Sequence, residues 1–297
     1  MFPIDNLSAT LTPNVIKHEH FSRDDDYIRA FRLLVASTSG RKELLSFLWN
    51  VSAMIVRPDA IAGKQSRNIF EILNSRGIFP CAVRRISVSE SQVEKLWRYQ
   101  LNVATPERKE LLKKIMGAGD SVYMLFRDTS TRYMAPATVH LTYLKGTARI
   151  DSRKEGHLRT AAGPAVANIF SYLHISDDPA DLIREMGLLF DAEGTRELFR
   201  EALQCNNRLA QAKNIISSLE ALIPDGAFSK EVSQSGVTRI EDVPAITLWQ
   251  EIIREAIHCT SFISGETYIG ADAIVPDDKE HSLRLDGHLA VPHLGEP

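Results

Sequence analysis

The sequence predicts an α+β protein: one antiparallel sheet, with helical segments added before and after it. Three observations carry this. Short β-branched runs alternate with stretches of helical spacing between residues 51 and 190. Glycine and proline stand where those stretches should start or stop. The flanking segments show helical spacing without further strand-like runs.

Asp24 to Asp26 precede Ile28, Phe31, Leu34 and Val35, which repeat at helical spacing. The acids suit the positive end of that first helix. Ser39 and Gly40 break it, and Lys42 to Trp49 form a second short helix ending near Asn50. The period then changes. Val51 to Val56 is an apolar run closed by Arg57, Pro58 and Asp59, which reads as a buried strand entering a turn. Ile69, Ile72 and Leu73 return to helical spacing with Gly77 as the stop, and Phe79 to Val88 reads as a second strand.

Ser89 and Ser91 open a helix through Val93, Leu96 and Trp97. Thr105, Pro106 and Glu107 open another through Leu111, Leu112 and Ile115, ended by Gly117 and Gly119. Ser121 to Phe126 is a third strand and Asn168 to His174 a fourth, followed by Asp178 at a helix cap with Pro179 in the first turn. Ala137 to Leu144 stays open: its β-branched residues suit a strand, its place in the order a helix. The order βαβ, extra helices, β, loop, βα is a split βαβ, or ferredoxin-like, arrangement with helices on one face of the sheet. Thr195 to Leu222 reads as helix, Pro224 to Val243 as loop, and Ile246 to His258 as an amphipathic helix. The last twenty residues are polar and expected to be mobile. The layout is a helical extension over 1–50, the sheet domain over 51–190, and a mainly helical extension over 191–297.

The chain has 297 residues, 44% hydrophobic and 25% charged, which is ordinary globular composition. A formal net charge of −3 gives no reason to expect nucleic-acid or membrane binding, so any anion site must be local. Cys81, Cys205 and Cys259 are far apart and form no CxxC pair, which argues against a disulfide framework or a zinc knuckle. No run approaches the roughly 20 apolar residues of a spanning helix, and a cytoplasmic location is expected. His18, Glu19 and His20 lack a second ligand pair, so no metal site is assigned.

Two segments carry a resemblance. Ile55, Val56, Arg57, Pro58, Asp59, Ala60 and Ile61 look like an apolar strand end followed by Lys-Pro-Asp-Gly-Val. His174, Ile175, Ser176 and Asp177, followed by Glu185, Gly187 and Phe190, look like a His-Gly-Ser-Asp segment and the helix behind it. Their order and spacing resemble the nucleoside diphosphate kinase family. Trp97 falls where that family has a tyrosine, and Thr147 with Arg159 where it has a phosphate-binding threonine and arginine. Asn168 is the candidate for the family's asparagine, although Ser171 sits at the family's spacing.

The resemblance implies a phosphotransferase that moves the terminal phosphate of ATP or another nucleoside triphosphate through a phosphohistidine at His174. Glu185 would hold the other ring nitrogen and Ser176 would support that carboxylate. Arg57, Arg159, Thr147 and Asn168 would face nucleotide or phosphate, with Mg2+ bridging the phosphates and Trp97 stacking on the base. It also implies a homo-oligomer, and the acceptor could be a small molecule other than a nucleoside diphosphate. Three positions depart from the pattern: Arg57 stands for the lysine, Leu141 for a second phosphate arginine with only His140 adjacent, and Ile175 for a glycine. These changes leave two alternatives open, a nucleotide-binding or assembly module that lost transfer, and a nucleotide-using biosynthetic enzyme with different chemistry. Arg149, Arg153 and Lys154 read as a solvated loop face.

Overall fold

The structure, a computed structural model, describes residues 11–12, 14–98, 104–130, 135–229 and 243–259. The expected mobile carboxy terminus, and most of the loop expected after Pro224, lie outside the described residues.

Before the sheet come α1 (Val15–Phe21), α2 (Asp25–Ser37) and α3 (Arg41–Asn50). Asp24 caps α2 by accepting the Asp26 and Tyr27 N–H groups, and Tyr27, Ala30, Phe31 and Leu34 form the buried stripe. The helix α1 has no counterpart in the sequence reading. It is one short element of about two turns in a polar segment, too brief for apolar periodicity to reveal.

Four strands follow: β1 (Val51–Val56), β2 (Ile78–Ile86), β3 (Ser121–Asp128) and β4 (Leu173–Ile175). They form one antiparallel sheet in the order β2-β3-β1-β4, as the split βαβ reading expects. In register, Ile55 pairs with Tyr123 on one side and His174 on the other. The β2–β3 register shifts between Pro80 and Ala82, leaving Cys81 as a bulge.

Between β1 and β2 lie α4 (Pro58–Ala62) and α5 (Ile69–Asn74); between β2 and β3, α6 (Glu90–Leu96) and α7 (Pro106–Gly117). The capping box at Ser89 and Gln92 and the Thr105 cap with Pro106 start the latter pair. Between β3 and β4 lie α8 (Ala137–Lys145) and α9 (Leu158–Ala162). The ambiguous 137–144 segment is thus a helix. Its branched residues are accommodated because Ala137, Thr138, Leu141 and Leu144 are buried, so tertiary packing overrides local preference. After β4 come α10 (Pro179–Leu189), α11 (Ala192–Gln204), α12 (Leu209–Glu220) and α13 (Val243–His258).

Three expectations need correction. The fourth strand does not run from Asn168 to His174. Tyr172 has a left-handed φ of 63°, and tight turns link Phe170 to Ala167 and Leu173 to Ser171. The carbonyls of 169 and 170 turn toward the Arg57 and Arg153 guanidiniums instead of toward β1. The expected 195–222 helix is two helices, because Cys205 takes a left-handed φ of 57° at the end of α11.

Helices also cover both faces of the sheet, not one. Met54, Val56, Val122, Met124 and Phe126 share a core with Ile61, Phe70, Leu141, Ile216 and Trp249. Val51, Ala53, Ile55, Tyr123 and Leu125 share the opposite core with Phe31, Phe47, Val93, Ile183 and Phe199. The added segments supply much of both layers, and α7 divides its apolar residues between them. At the β2 edge, the Arg208 N–H donates to the Pro80 carbonyl at 2.7 Å.

Candidate active site

His174 lies on β4, an edge strand, with its ring on the face shared by Ile55. From that face α10 presents Glu185. Asp178 caps α10 by accepting the Asp181 N–H at 2.9 Å, and Pro179 opens its first turn. Glu185 Oε1 sits 2.6 Å from His174 Nε2, and Ser176 Oγ donates to Glu185 Oε2 at 2.6 Å. Both carboxylate oxygens are therefore engaged, with Ser176 fully buried and Glu185 nearly so.

An ionised carboxylate only accepts, so the hydrogen between it and the ring belongs to Nε2. That tautomer leaves the lone pair on Nδ1, which has no hydrogen-bond partner among the described residues. The His174 side chain keeps 11% of its surface open. Trp97 meets the ring edge-on, with centroids 5.4 Å apart at 79°, and Arg57 lies 5.9 Å over the Trp97 ring. The structure thus brings His174, Glu185, Ser176, Trp97 and Arg57 together.

Arg57 follows β1 directly and is buried. Its Nε donates to Asp59 Oδ1 at 3.0 Å and its Nη1 to Ser171 Oγ. Asp59 Oδ2 accepts the Tyr172 N–H at 3.2 Å, so one carboxylate fixes both the guanidinium and the turn before β4. Burial pulls the Arg57 guanidinium below its ordinary pKa against the attraction of Asp59, and Arg159 and Arg108 add repulsion. Arg159, on α9, is buried and donates to the Gly146 carbonyl at 2.7 Å, beside Thr147. Thr147 Oγ1 accepts the Arg149 N–H, and Asn168 Oδ1 accepts the Ile150 N–H at 2.9 Å. Asn168 therefore pins the 147–152 loop, while Ser171 is the residue that reaches Arg57.

One residue near the site was not singled out from the sequence. Arg108 extends the buried stripe of α7, three, four and seven residues before Leu111, Leu112 and Ile115. A charged residue continuing an apolar stripe was the available signal. Arg153 is not part of a solvated face: its Nη2 donates to the carbonyls of Ala148 and Phe170, and its guanidinium lies 5.4 Å over Tyr172. Arg149 does remain exposed, paired with Asp151. His140 is buried with Nδ1 2.6 Å from Asp128 Oδ2, and Leu141 is core, so neither supplies a phosphate cation.

Just beyond His174, three carboxylates meet two ammonium groups. Lys145 Nζ lies 3.0 Å from Asp177, and Lys17 Nζ 2.8 Å from Asp178 and in contact with Asp181. Burial pushes the Asp177 carboxyl up, but Lys145 and Lys17 outweigh it and hold it at about 2. Burial and Asp178 push Asp181 well above the usual carboxylate range. Among the described residues no group of three or more His, Cys, Asp or Glu is placed to hold a metal ion. Asp177, Asp178 and Asp181 already have ammonium partners.

Fold and site together define an α+β sheet domain that presents an edge-strand histidine oriented by a helix carboxylate. Residues 50–195 match the family model for nucleoside diphosphate kinase, and this part of the chain belongs to that family of nucleotide phosphotransferases. Similar solved structures include a nucleoside diphosphate kinase from Encephalitozoon cuniculi, 17% identical over 47% of this chain and 87% of that one, with TM-score 0.40. An NDP kinase from Pyrobaculum aerophilum is 18% identical over 49% of this chain and 98% of its own, with TM-score 0.40. A nucleoside diphosphate kinase family protein from Babesia bovis is 19% identical over 48% and 90%, with TM-score 0.39. No curated protein matches the chain. No helix among the described residues is long and apolar enough to cross a membrane.

Proposed function

We propose that the chain transfers the terminal phosphate of a nucleoside triphosphate through His174. The observation that carries this is the Glu185 bond to Nε2, which leaves Nδ1 with its lone pair and no partner among the described residues. In the first half-reaction Nδ1 attacks the terminal phosphorus. An N–P bond forms, the bridging P–O bond breaks, and the nucleoside diphosphate leaves with that oxygen. Nε2–H stays hydrogen-bonded to Glu185, so the positive charge gained by the ring is balanced by a fixed carboxylate. In the second half an anionic acceptor oxygen, of a nucleoside diphosphate or a small molecule, attacks that phosphorus; an O–P bond forms, the N–P bond breaks, and the electron pair returns to Nδ1 of His174.

Charge for the transferring group would come from the guanidiniums of Arg57 and Arg159, with Arg108 beside them. Thr147 and Asn168 belong on the phosphate side through the loop they hold in place, and Ser171 through Arg57. Trp97 is nearly buried between Arg57 and His174, so stacking on a base requires its ring to be uncovered as nucleotide enters. The family's magnesium would arrive on the nucleotide, held by phosphate oxygens, because the carboxylates near His174 are already paired. It would offset phosphate charge, and no step is assigned to it.

A second reading, a nucleotide-binding module without transfer, is favoured by one observation. Arg57 is held by Asp59 and Ser171, unlike a mobile lysine. Mass spectrometry of the intact protein at mildly alkaline pH, after mixing with magnesium and ATP, separates the two. A phosphate adduct in wild type and none in His174→Ala is expected. ATP binding without an adduct would leave the binding module.

A further inference from the structure

The helix that carries Glu185 is gripped along its length by the segment that precedes the sheet. At its start, Lys17 of α1 holds Asp178 and Asp181. In its middle, Arg184 Nε donates to Asp24 Oδ2 at 2.8 Å, its Nη2 to the Lys95 carbonyl at 2.7 Å, and its guanidinium lies 5.6 Å over Phe21. At its end, Arg29 Nη2 donates to the Gly187 carbonyl at 2.8 Å. A methyl group at Gly187 would stand 2.5 Å from the Asp26 carbonyl oxygen and 2.6 Å from Ala30 Cβ, so α10 and α2 are in backbone contact there.

Residues 184 and 187, three positions apart, share one side of α10, and Asp181 lies one turn before Glu185 on a different side. Glu185, one residue after Arg184, points instead to β4 and His174. The helix is therefore a spacer between the amino-terminal segment and the histidine. A hydrogen bond of 2.6 Å is sensitive to small displacements of that spacer. Residues 178 and 181 also lie directly after the strand that ends at Ile175, so the Lys17 grip fixes the turn joining His174 to its carboxylate helix.

We infer that Lys17 and Asp24 are positioning residues for His174: the amino-terminal segment sets the ring tautomer by holding α10 against β4. The inference rests on the reading of His174 as phosphate carrier for its meaning, but not for its measurement. Asp24→Asn is the informative variant. Asparagine caps a helix about as well as aspartate, so α2 keeps its start through Oδ1. Its amide NH2 would face the Arg184 donor, so the Asp24–Arg184 link is lost while the other contacts of α10 remain. Lys17→Met removes the second grip independently, and Lys17→Arg restores a cation there.

The test uses the full chain with 15N-labelled histidine. The ring signals of His174, assigned by their loss in His174→Asn, are read without nucleotide. Wild type should show a protonated Nε2 and an unprotonated Nδ1. Asp24→Asn and Lys17→Met should show an exchanging mixture of tautomers, and phosphate uptake from ATP should fall about tenfold or more with ATP affinity unchanged. Lys17→Arg should recover the wild-type signals. Folded variants with wild-type ring signals would overturn the inference, whatever the rate does. Altered ring signals in a protein whose wild type takes no phosphate would uphold the positioning and remove only the transfer reading.

Discussion

Glu185 Oε1 lies 2.6 Å from His174 Nε2, while the same carboxylate's other oxygen accepts from Ser176. The carboxylate is held at both ends, so it can select one ring tautomer without moving. Glu185→Ala removes that selection and leaves Ser176 without its acceptor. Phosphate uptake by His174 should fall roughly 10²–10⁴-fold, the range for loss of an orienting carboxylate. Rapid-quench labelling with ATP measures it, and an unchanged rate would exclude an orienting role.

Arg57 and Asp59 form a buried pair. Arg57→Met leaves the Asp59 charge buried with only the Tyr172 N–H to satisfy it. A loss of about 3–5 kcal/mol is expected from urea unfolding. Adding Asp59→Asn should recover part of it, because the orphaned charge is then gone.

Asp177 is held at about 2 against an ordinary 3.8. A carboxylate depressed on folding contributes stability that is complete above its unfolded value and lost as pH falls through the folded one. Asp177→Asn should therefore be less stable than wild type at neutral pH, and the gap should close between about pH 4 and pH 2. Parallel melts across that range provide the check.

Gly187→Ala places a methyl group against Asp26 and Ala30. Strain of about 1–3 kcal/mol is expected, because both neighbours belong to a packed helix. A thermal melt unchanged from wild type would mean that α2 and α10 are not in backbone contact.

Trp97 lies against the His174 ring, and the chain has three tryptophans. A phosphoryl group on Nδ1 puts negative charge beside the indole. Tryptophan emission should change on phosphorylation in wild type and stay constant in Trp97→Phe.

Much of this site could be read from residue order. The His174, Ser176, Glu185 spacing maps directly onto one strand end and the helix after it, so local geometry alone brings the three together. Arg57 could be placed near them because it ends the neighbouring strand. The turn at 167–172 could not be read, because it depends on Asp59 and two guanidiniums from elsewhere in the chain. Short apolar runs look alike whether they extend or curl. Lys17 and Asp24 were equally hidden, since their partners lie 161 and 160 residues away. The second helical layer was missed for a related reason: helical spacing shows that a face is buried but not what covers it.

The bulge at Cys81 has a consequence for how copies of this chain can meet. Pro80 offers no N–H, its carbonyl is taken by Arg208, and the bulge turns the strand out of register. An outer strand built this way is a poor template for another strand. The sheet therefore stops at β2, and a second molecule would not extend it from that side. Unfolding of α11 and α12 would uncover that edge, so their loss should make the chain prone to aggregate.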